Sequence, residues 1–187
     1  MAIRKLTFDE IFSRQPGLEE LKTLRRVPLY ALIQNIRSMH NVGSIFRTSD
    51  GVRLKHLFLT GFTPTPPRKE IDKTALGATD SVPWSYEKDG TKILRQLKKK
   101  EINLVVVEHT NKSIPYTDVN YEFPMCLIMG NEVEGISQEI IKQADVAVDI
   151  PMLGMKQSLN VSVAYGIIIY HILSRYLENN TNVLQSK

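Results

Sequence analysis

At 187 residues, with 42% apolar and 24% charged side chains, the chain has the length and balance of one globular domain able to bury a core, which excludes a disordered or fibrous protein. A single cysteine, Cys126, inside an apolar run, excludes an internal disulfide and points to a reducing compartment. The net charge of +4 and the isoelectric point near 9.1 lean toward a polyanionic partner, though many proteins this basic have none.

Residues 1–10 carry no apolar run of the kind a signal peptide needs, so export is not expected. Residues 1–26 read as a basic helical extension. Thr7-Phe-Asp-Glu10 fits a capping box ahead of Ile11 and Phe12, Pro16-Gly17 breaks that helix, and residues 18–26 suit another. Arg4, Lys5, Lys22, Arg25 and Arg26 make this arm either a grip for a polyanion or an ordinary solvated face.

Residues 27–33 form the first convincing strand, and residues 42–50 carry a helical pattern with Val42, Ile45, Phe46 and Ser49 on one face. Asn41 is a candidate N-cap. Arg47 follows it by six residues, roughly 9 Å of axial rise, so both can flank one cleft. Gly51 ends the helix and residues 54–59 form a second strand, giving a β-α-β unit with parallel strands. The loop 61–67 (GFTPTPP) cannot be a central strand. Residues 71–78 suit a short helix or lid, in which Lys73 meets phosphate or solvent, and Trp84 reads as core. Residues 91–100 form an amphipathic helix with Ile93, Leu94 and Leu97 inward; Lys92, Arg95, Lys98, Lys99 and Lys100 face outward, as an electrostatic footprint or a plain surface.

Residues 102–107 make a third strand, ending in Glu108-His-Thr110, and residues 125–129 a fourth. Gly130-Asn-Glu-Val-Glu-Gly135 leads into a short helix over 136–143. Residues 146–150 form the fifth strand, which Pro151 terminates. Residues 152–157 are a tight loop, with Gly154 free to take φ > 0, and Ser158 is a plausible N-cap for a helix over 159–176. That helix is apolar nearly all round: Val161, Val163, Ala164, Ile167, Ile168, Ile169 and Ile172 point in most directions. Asn160, Ser162 and His171 interrupt runs already too short to span a bilayer, so it is either a central core helix or one buried against a partner subunit. Gly166 at mid-helix suits a close helix crossing.

Alternating strands and helices predict an α/β fold with a mainly parallel sheet and helices on both faces. Ligands of such sheets sit at the carboxyl ends of the strands. Three polar, glycine-bearing loops fall there, over 35–47, 130–135 and 151–160. Neither the P-loop nor the dinucleotide glycine fingerprint is present, and the scattered histidines His40, His56, His109 and His171 imply no metal site.

Those three loops resemble the motifs of a known family. Asn41-x5-Arg47 after the first strand, Gly130-Asn-Glu132-x-x-Gly135 after the fourth, and Ile150-Pro-Met-x-Gly-x-x-x-Ser158-Leu-Asn-Val-Ser162 at the end are similar, in order and in flanking strands, to the three motifs of the SpoU (TrmH-like) branch of the SPOUT RNA methyltransferases. The resemblance covers residues 28–176. It implies an α/β trefoil knot, with residues 1–26 an extension, 27–178 the methyltransferase domain and 179–187 a short polar tail. It further implies a cytoplasmic homodimer, paired through the helix 159–176, that binds S-adenosylmethionine in the knot and methylates a ribose 2′-hydroxyl in tRNA or rRNA. Neither DNA nor membrane enters this reading.

Residue by residue, Gly130, Ile150 and Leu159 match positions whose backbone holds the adenosine part of the cofactor; Met152 lies in the same loop, and Thr110 looks like the matching contact after the third strand. Asn41, Arg47, Glu132, Ser158 and Asn160 match positions tied to catalysis or substrate placement. A guanidinium is a poor base at neutral pH, so Arg47 is expected to clamp a phosphate and stabilise charge growing on the 2′-oxygen. Transfer from a sulfonium needs mainly in-line placement, which the other four would hold. The alternative is a non-catalytic RNA-binding dimer that keeps the fold.

Overall fold

The structure, a computed structural model, describes residues 3–180. Two short helices, α1 (Phe8–Phe12) and α2 (Leu18–Thr23), precede β1 (Val27–Gln34), α3 (Met39–Gly51), β2 (Leu54–Thr60), α4 (Lys69–Ala75), α5 (Ala78–Ser81) and β3 (Trp84–Glu87). Then follow α6 (Gly90–Lys98), β4 (Asn103–Val107), β5 (Ile114–Pro115), β6 (Met125–Met129), α7 (Gln138–Ile141), β7 (Val146–Asp149) and α8 (Val161–Glu178). The strands form one sheet in the order β3-β2-β1-β6-β4-β7-β5, every pair parallel. The expected α/β architecture is therefore present, with two strands more than the five read from the sequence.

A parallel sheet covered on both faces needs strands that are apolar at consecutive positions. The central pair supplies this: all five residues of β6 are buried, and Leu29 and Leu32 on β1 are sealed on opposite faces. Leu29, Ala31 and Ile33 pack under α3, α4, α5 and α8. Leu32, Cys126 and Ile128 pack under α6 and α7. Burial pushes the Cys126 thiol well above its ordinary range, so it behaves as core.

Local signals held in several places. Thr7 and Glu10 form the capping box of α1, and Val42, Ile45, Phe46 and Ser49 are the buried face of α3. Ile93, Leu94 and Leu97 are the buried face of α6. Its outer face is largely compensated: Lys92 pairs with Glu87 at 3.6 Å, Arg95 with Asp89 at 3.9 Å and Lys98 with Asp145 at 3.3 Å. The leading arm is compensated in part, with Arg4 on Glu10 and Lys22 on Glu19, while Arg26 donates to the carbonyls of Leu54 and Ser81. Residues 69–75 are no lid, because α4 packs so closely on α3 that a Cβ at Gly43 would overlap Thr74 and the Ile71 carbonyl. Trp84 is half-buried, its ring edge-on to Phe46 at 6.0 Å.

Three local expectations are corrected. Gly154 does not take positive φ. The N-cap of α3 is Ser38, whose hydroxyl accepts from the Asn41 N–H at 3.3 Å, so Asn41 lies inside the first turn. The N-cap of α8 is Asn160, whose carboxamide oxygen accepts from the Ser162 N–H at 3.0 Å, so α8 begins two residues later than a Ser158 cap would start it.

No helix among the described residues is long and apolar enough to cross a membrane. Helix α8 buries Val161, Ala164, Tyr165, Ile168, Ile169, Ile172 and Tyr176 in its own chain, and the Tyr165 hydroxyl is 2.7 Å from Ser49 of α3. Ile168 and Ile169 therefore do not face outward: both are 0% exposed in the core. The outward stripe is instead Val163, Ile167 and Tyr170, exposed by 50%, 37% and 50%. Gly166 lies in that stripe, and a Cβ there would meet nothing within 4 Å.

Candidate active site

The loops that follow β4, β6 and β7 close around a cavity of about 310 Å³ at the carboxyl end of the sheet. Val107, Met129, Val161 and Ala164 make an apolar floor, and Gly130, Ile150, Met152 and Leu159 form the walls. Glu108, Glu132, Asp149, Gln157 and Ser158 bring polar groups to the same space. Of the cofactor residues expected from the sequence, four line this cavity. Thr110 lies just past it, where its hydroxyl accepts from the Lys112 N–H at 3.1 Å in a turn.

The loop 130–135 owes its shape to residues that admit no substitute. Its ends pair as Asn131 N–H to Gly135 carbonyl at 3.1 Å and Gly135 N–H to Asn131 carbonyl at 3.0 Å. A Cβ at Gly130 would fall 2.5 Å from the Gly135 backbone, and Gly135 holds φ 68 against the Glu108 carboxylate. The Asn131 side chain, 5% exposed, accepts from the N–H groups of Val133 and Glu134 at 2.7 and 3.0 Å and donates to the Asn35 carbonyl at 2.8 Å. One buried carboxamide thus folds this loop and ties it to the end of β1. Asn131→Ala leaves those groups unpaired and is expected to cost about 1–3 kcal/mol; a denaturant midpoint unchanged from wild type would refute that role.

At the cavity mouth the three motif loops join through side chains. Asn41 Nδ2 donates to Glu132 Oε1 at 2.8 Å, and Asn160 Nδ2 donates to Asn41 Oδ1 at 3.2 Å. The Ser162 hydroxyl donates to Asn160 Oδ1 at 2.7 Å. Asn160 therefore caps α8 and holds Asn41 with one side chain. Ser158 lines the cavity without a hydrogen bond of its own among the described residues.

Arg47 is the exception among the five. Six residues along a helix is roughly 120° away around its axis as well as roughly 9 Å along it. Arg47 is exposed on α3, does not line the cavity and makes no hydrogen bond or ion pair among the described residues. Asn41 and Arg47 hence do not flank one cleft as the spacing alone suggested. Sequence reasoning also missed Glu108, His109, Asn131 and Gln157. Glu108 accepts from the Ile136 N–H at 2.8 Å, and His109 Nε2 is 3.1 Å from the Gln157 carbonyl, fastening the third motif loop to the end of β4. The available signal was the polar triplet Glu108-His-Thr110 at a strand's carboxyl end.

A parallel sheet with a polar, loop-built cavity across its carboxyl rim defines an α/β ligand-binding domain. The model of the SpoU rRNA Methylase family matches residues 28–170, and the chain belongs to that family. It is 34% identical over 161 residues to the tRNA (guanosine(18)-2′-O)-methyltransferase of Aquifex aeolicus, covering 84% of this chain and 74% of that one. Among solved structures, the A. aeolicus TrmH/SpoU tRNA modifying enzyme superposes with a TM-score of 0.80 at 29% identity, over 95% of this chain and 87% of that one. The AdoMet-bound rRNA methyltransferase from Sinorhizobium meliloti does so with a TM-score of 0.74 at 26% identity, over 88% and 62%.

Proposed function

We propose that this chain is an S-adenosylmethionine-dependent RNA methyltransferase acting on a ribose 2′-hydroxyl of tRNA or rRNA. The observation that carries the reading is the cavity at the carboxyl rim, which Glu132 lines and from which it reaches Asn41 and, through it, Asn160. The cavity fits the cofactor: its volume is within the range of small-ligand sites, its floor is apolar enough for an adenine ring, and its carboxylates suit a cationic ligand. When bound, the cofactor supplies an electrophilic methyl group on a positively charged sulfur.

The protein's share is placement. Backbone groups at Gly130, Ile150, Met152 and Leu159 hold the adenosine part, and Glu132, Asn41, Asn160 and Ser158 orient the ribose at the mouth. Arg47, without a partner among the described residues, meets phosphate and the developing negative charge on the 2′-oxygen from the solvent side. The extension 1–26 and the domain 27–178 divide the chain, while the tail assigned to 179–187 lies mostly outside the described residues. After β7 the chain sets α8 against α3, and the knotted architecture is part of the proposal.

A homodimer is part of the proposal. Val163, Ile167 and Tyr170 on α8, with Val133, Leu153 and Met155 beside the cavity, leave large apolar groups in water, a pattern that marks an interaction surface. An RNA substrate of this class puts the enzyme in the cytoplasm.

The direct test is methyl transfer from labelled cofactor to tRNA and rRNA, with the product read as 2′-O-methylribose; transfer to neither refutes the proposal. Calorimetry is expected to give a micromolar dissociation constant for S-adenosylmethionine, about −8 kcal/mol. Gly130→Val, which forces a side chain into Gly135, should abolish that binding, while Lys99→Ala at the end of α6 should not alter it.

A further inference from the structure

A second cleft, of about 500 Å³, opens on the same carboxyl rim beyond the ends of β1, β2 and β3. It shares no lining residue with the cofactor cavity. Two aromatic rings stand in it half-exposed, Phe62 at 51% and Tyr86 at 48%. Both are held in place. The Tyr86 hydroxyl donates to the Gly61 carbonyl at 2.6 Å, and the Phe62 N–H donates to Asn35 Oδ1 at 3.2 Å. Asn35 and Gly61 keep left-handed backbone, φ 58 and 67, to make that turn. For a non-glycine residue such strain persists where surrounding structure enforces it, and it clusters at ligand clamps.

The charges in the cleft are all of one sign. Arg37 lies with its guanidinium 5.8 Å from the Phe62 ring centroid, and the Arg68 side chain has no partner among the described residues. No acidic residue among those described lines the cleft. The carboxylate that touches it from outside is Glu134, 3.2 Å from Arg37, and Glu134 belongs to the loop that also walls the cofactor cavity. Rigid aromatic faces interleaved with guanidinium groups are the chemistry that binds unstacked bases and the phosphates between them.

We propose that the cleft of Arg37, Phe62, Arg68 and Tyr86 is a nucleobase-stacking subsite, which takes an unpaired base near the ribose to be methylated. Phe62 and Tyr86 supply the stacking faces; Arg37 and Arg68 meet the adjoining phosphates. Arg37 also links base capture to the cavity loop through Glu134. The inference rests on the RNA methyltransferase reading and deepens it. An apolar protein partner is the competing occupant, and two guanidinium groups with no acidic counterpart in the cleft argue against it.

The test uses the full chain and a stem-loop RNA with 2-aminopurine in the loop, whose fluorescence falls when the base stacks. Wild type should quench it. Phe62→Leu, which keeps apolar bulk but removes the ring, should weaken RNA binding about tenfold and abolish the quench, with cofactor affinity unchanged. Tyr86→Leu should act in the same direction, and Arg68→Ala should reduce the salt dependence of binding by about one phosphate contact. Both rings are exposed, so melting temperatures should stay near wild type. If both leucine variants bind and quench like wild type while wild type still methylates RNA, the subsite is wrong and the methyltransferase reading stands. If wild type binds cofactor but no RNA, both fall.

Discussion

Arg47→Ala is expected to lower the rate of methyl transfer by about 10²–10³-fold while leaving the dissociation constant for S-adenosylmethionine unchanged. The separation follows from where the residue sits. Asn41, Glu132 and Asn160 are bonded to one another at the mouth of the cavity, so their replacement disturbs the cofactor site as well as the substrate. Arg47 touches none of them and lines no part of the cavity. A group with no structural duty can be removed without disturbing the fold, and its loss should appear only once RNA is present. The scale is that of one lost donor at a centre where charge develops, about 2.7–4 kcal/mol. Arg47→Lys should recover little, because an ammonium cannot form the planar two-pronged contact a phosphate accepts from guanidinium. Single-turnover transfer with saturating cofactor separates the steps; a rate near wild type for Arg47→Ala would remove Arg47 from the reaction.

What the sequence revealed and what it concealed divide along physical lines. Strands β1 and β6 were legible because double burial demands an unbroken apolar run, and no other element of this length carries one. The edge strands β3 and β5 were not, since Trp84-Ser-Tyr-Glu87 and Ile114-Pro115 carry no such run and owe their pairing to β2 and β7. The caps were misread for a related reason. Ser38 and Asn41, or Ser158 and Asn160, are equally good caps in isolation. The choice was made by tertiary contacts, since Asn160 also reaches Asn41 and Asn41 also reaches Glu132. The motif loops were legible as motifs, yet Asn131 and Glu108 became visible only when the fold brought β1, β4 and β6 side by side. The helical wheel of α8 offered no orientation either, because both of its faces are apolar; packing alone separates Ile168 from Ile167.

That last distinction fixes the second large effect: Ile167→Asp should split the proposed dimer and abolish methyl transfer. Ile168→Asp would be uninformative, for it places a charge in the chain's own core and unfolds the protein. Ile167 is 37% exposed, in line with Val163 and Tyr170 at helical spacing, and Gly166 between them leaves room for a second backbone to approach. Pairing two such stripes across a two-fold axis is the simplest closed arrangement that removes them from water. It would also join two chains of net charge +4 into one particle with twice the attraction for RNA. An aspartate at the seam would then be buried without a partner, a cost of about 3–5 kcal/mol, or roughly 10²–10⁴-fold in association. An aspartate introduced as Lys99→Asp, at the end of α6 across the sheet, should leave assembly intact. Sedimentation at low micromolar concentration reads the outcome directly: wild type should run at twice 21.3 kDa, and Ile167→Asp should run at half that mass or be lost to unfolding, since a dimer built on its central helix leaves little stable monomer behind. A wild-type protein that methylates RNA as a single species of 21.3 kDa would eliminate this interface.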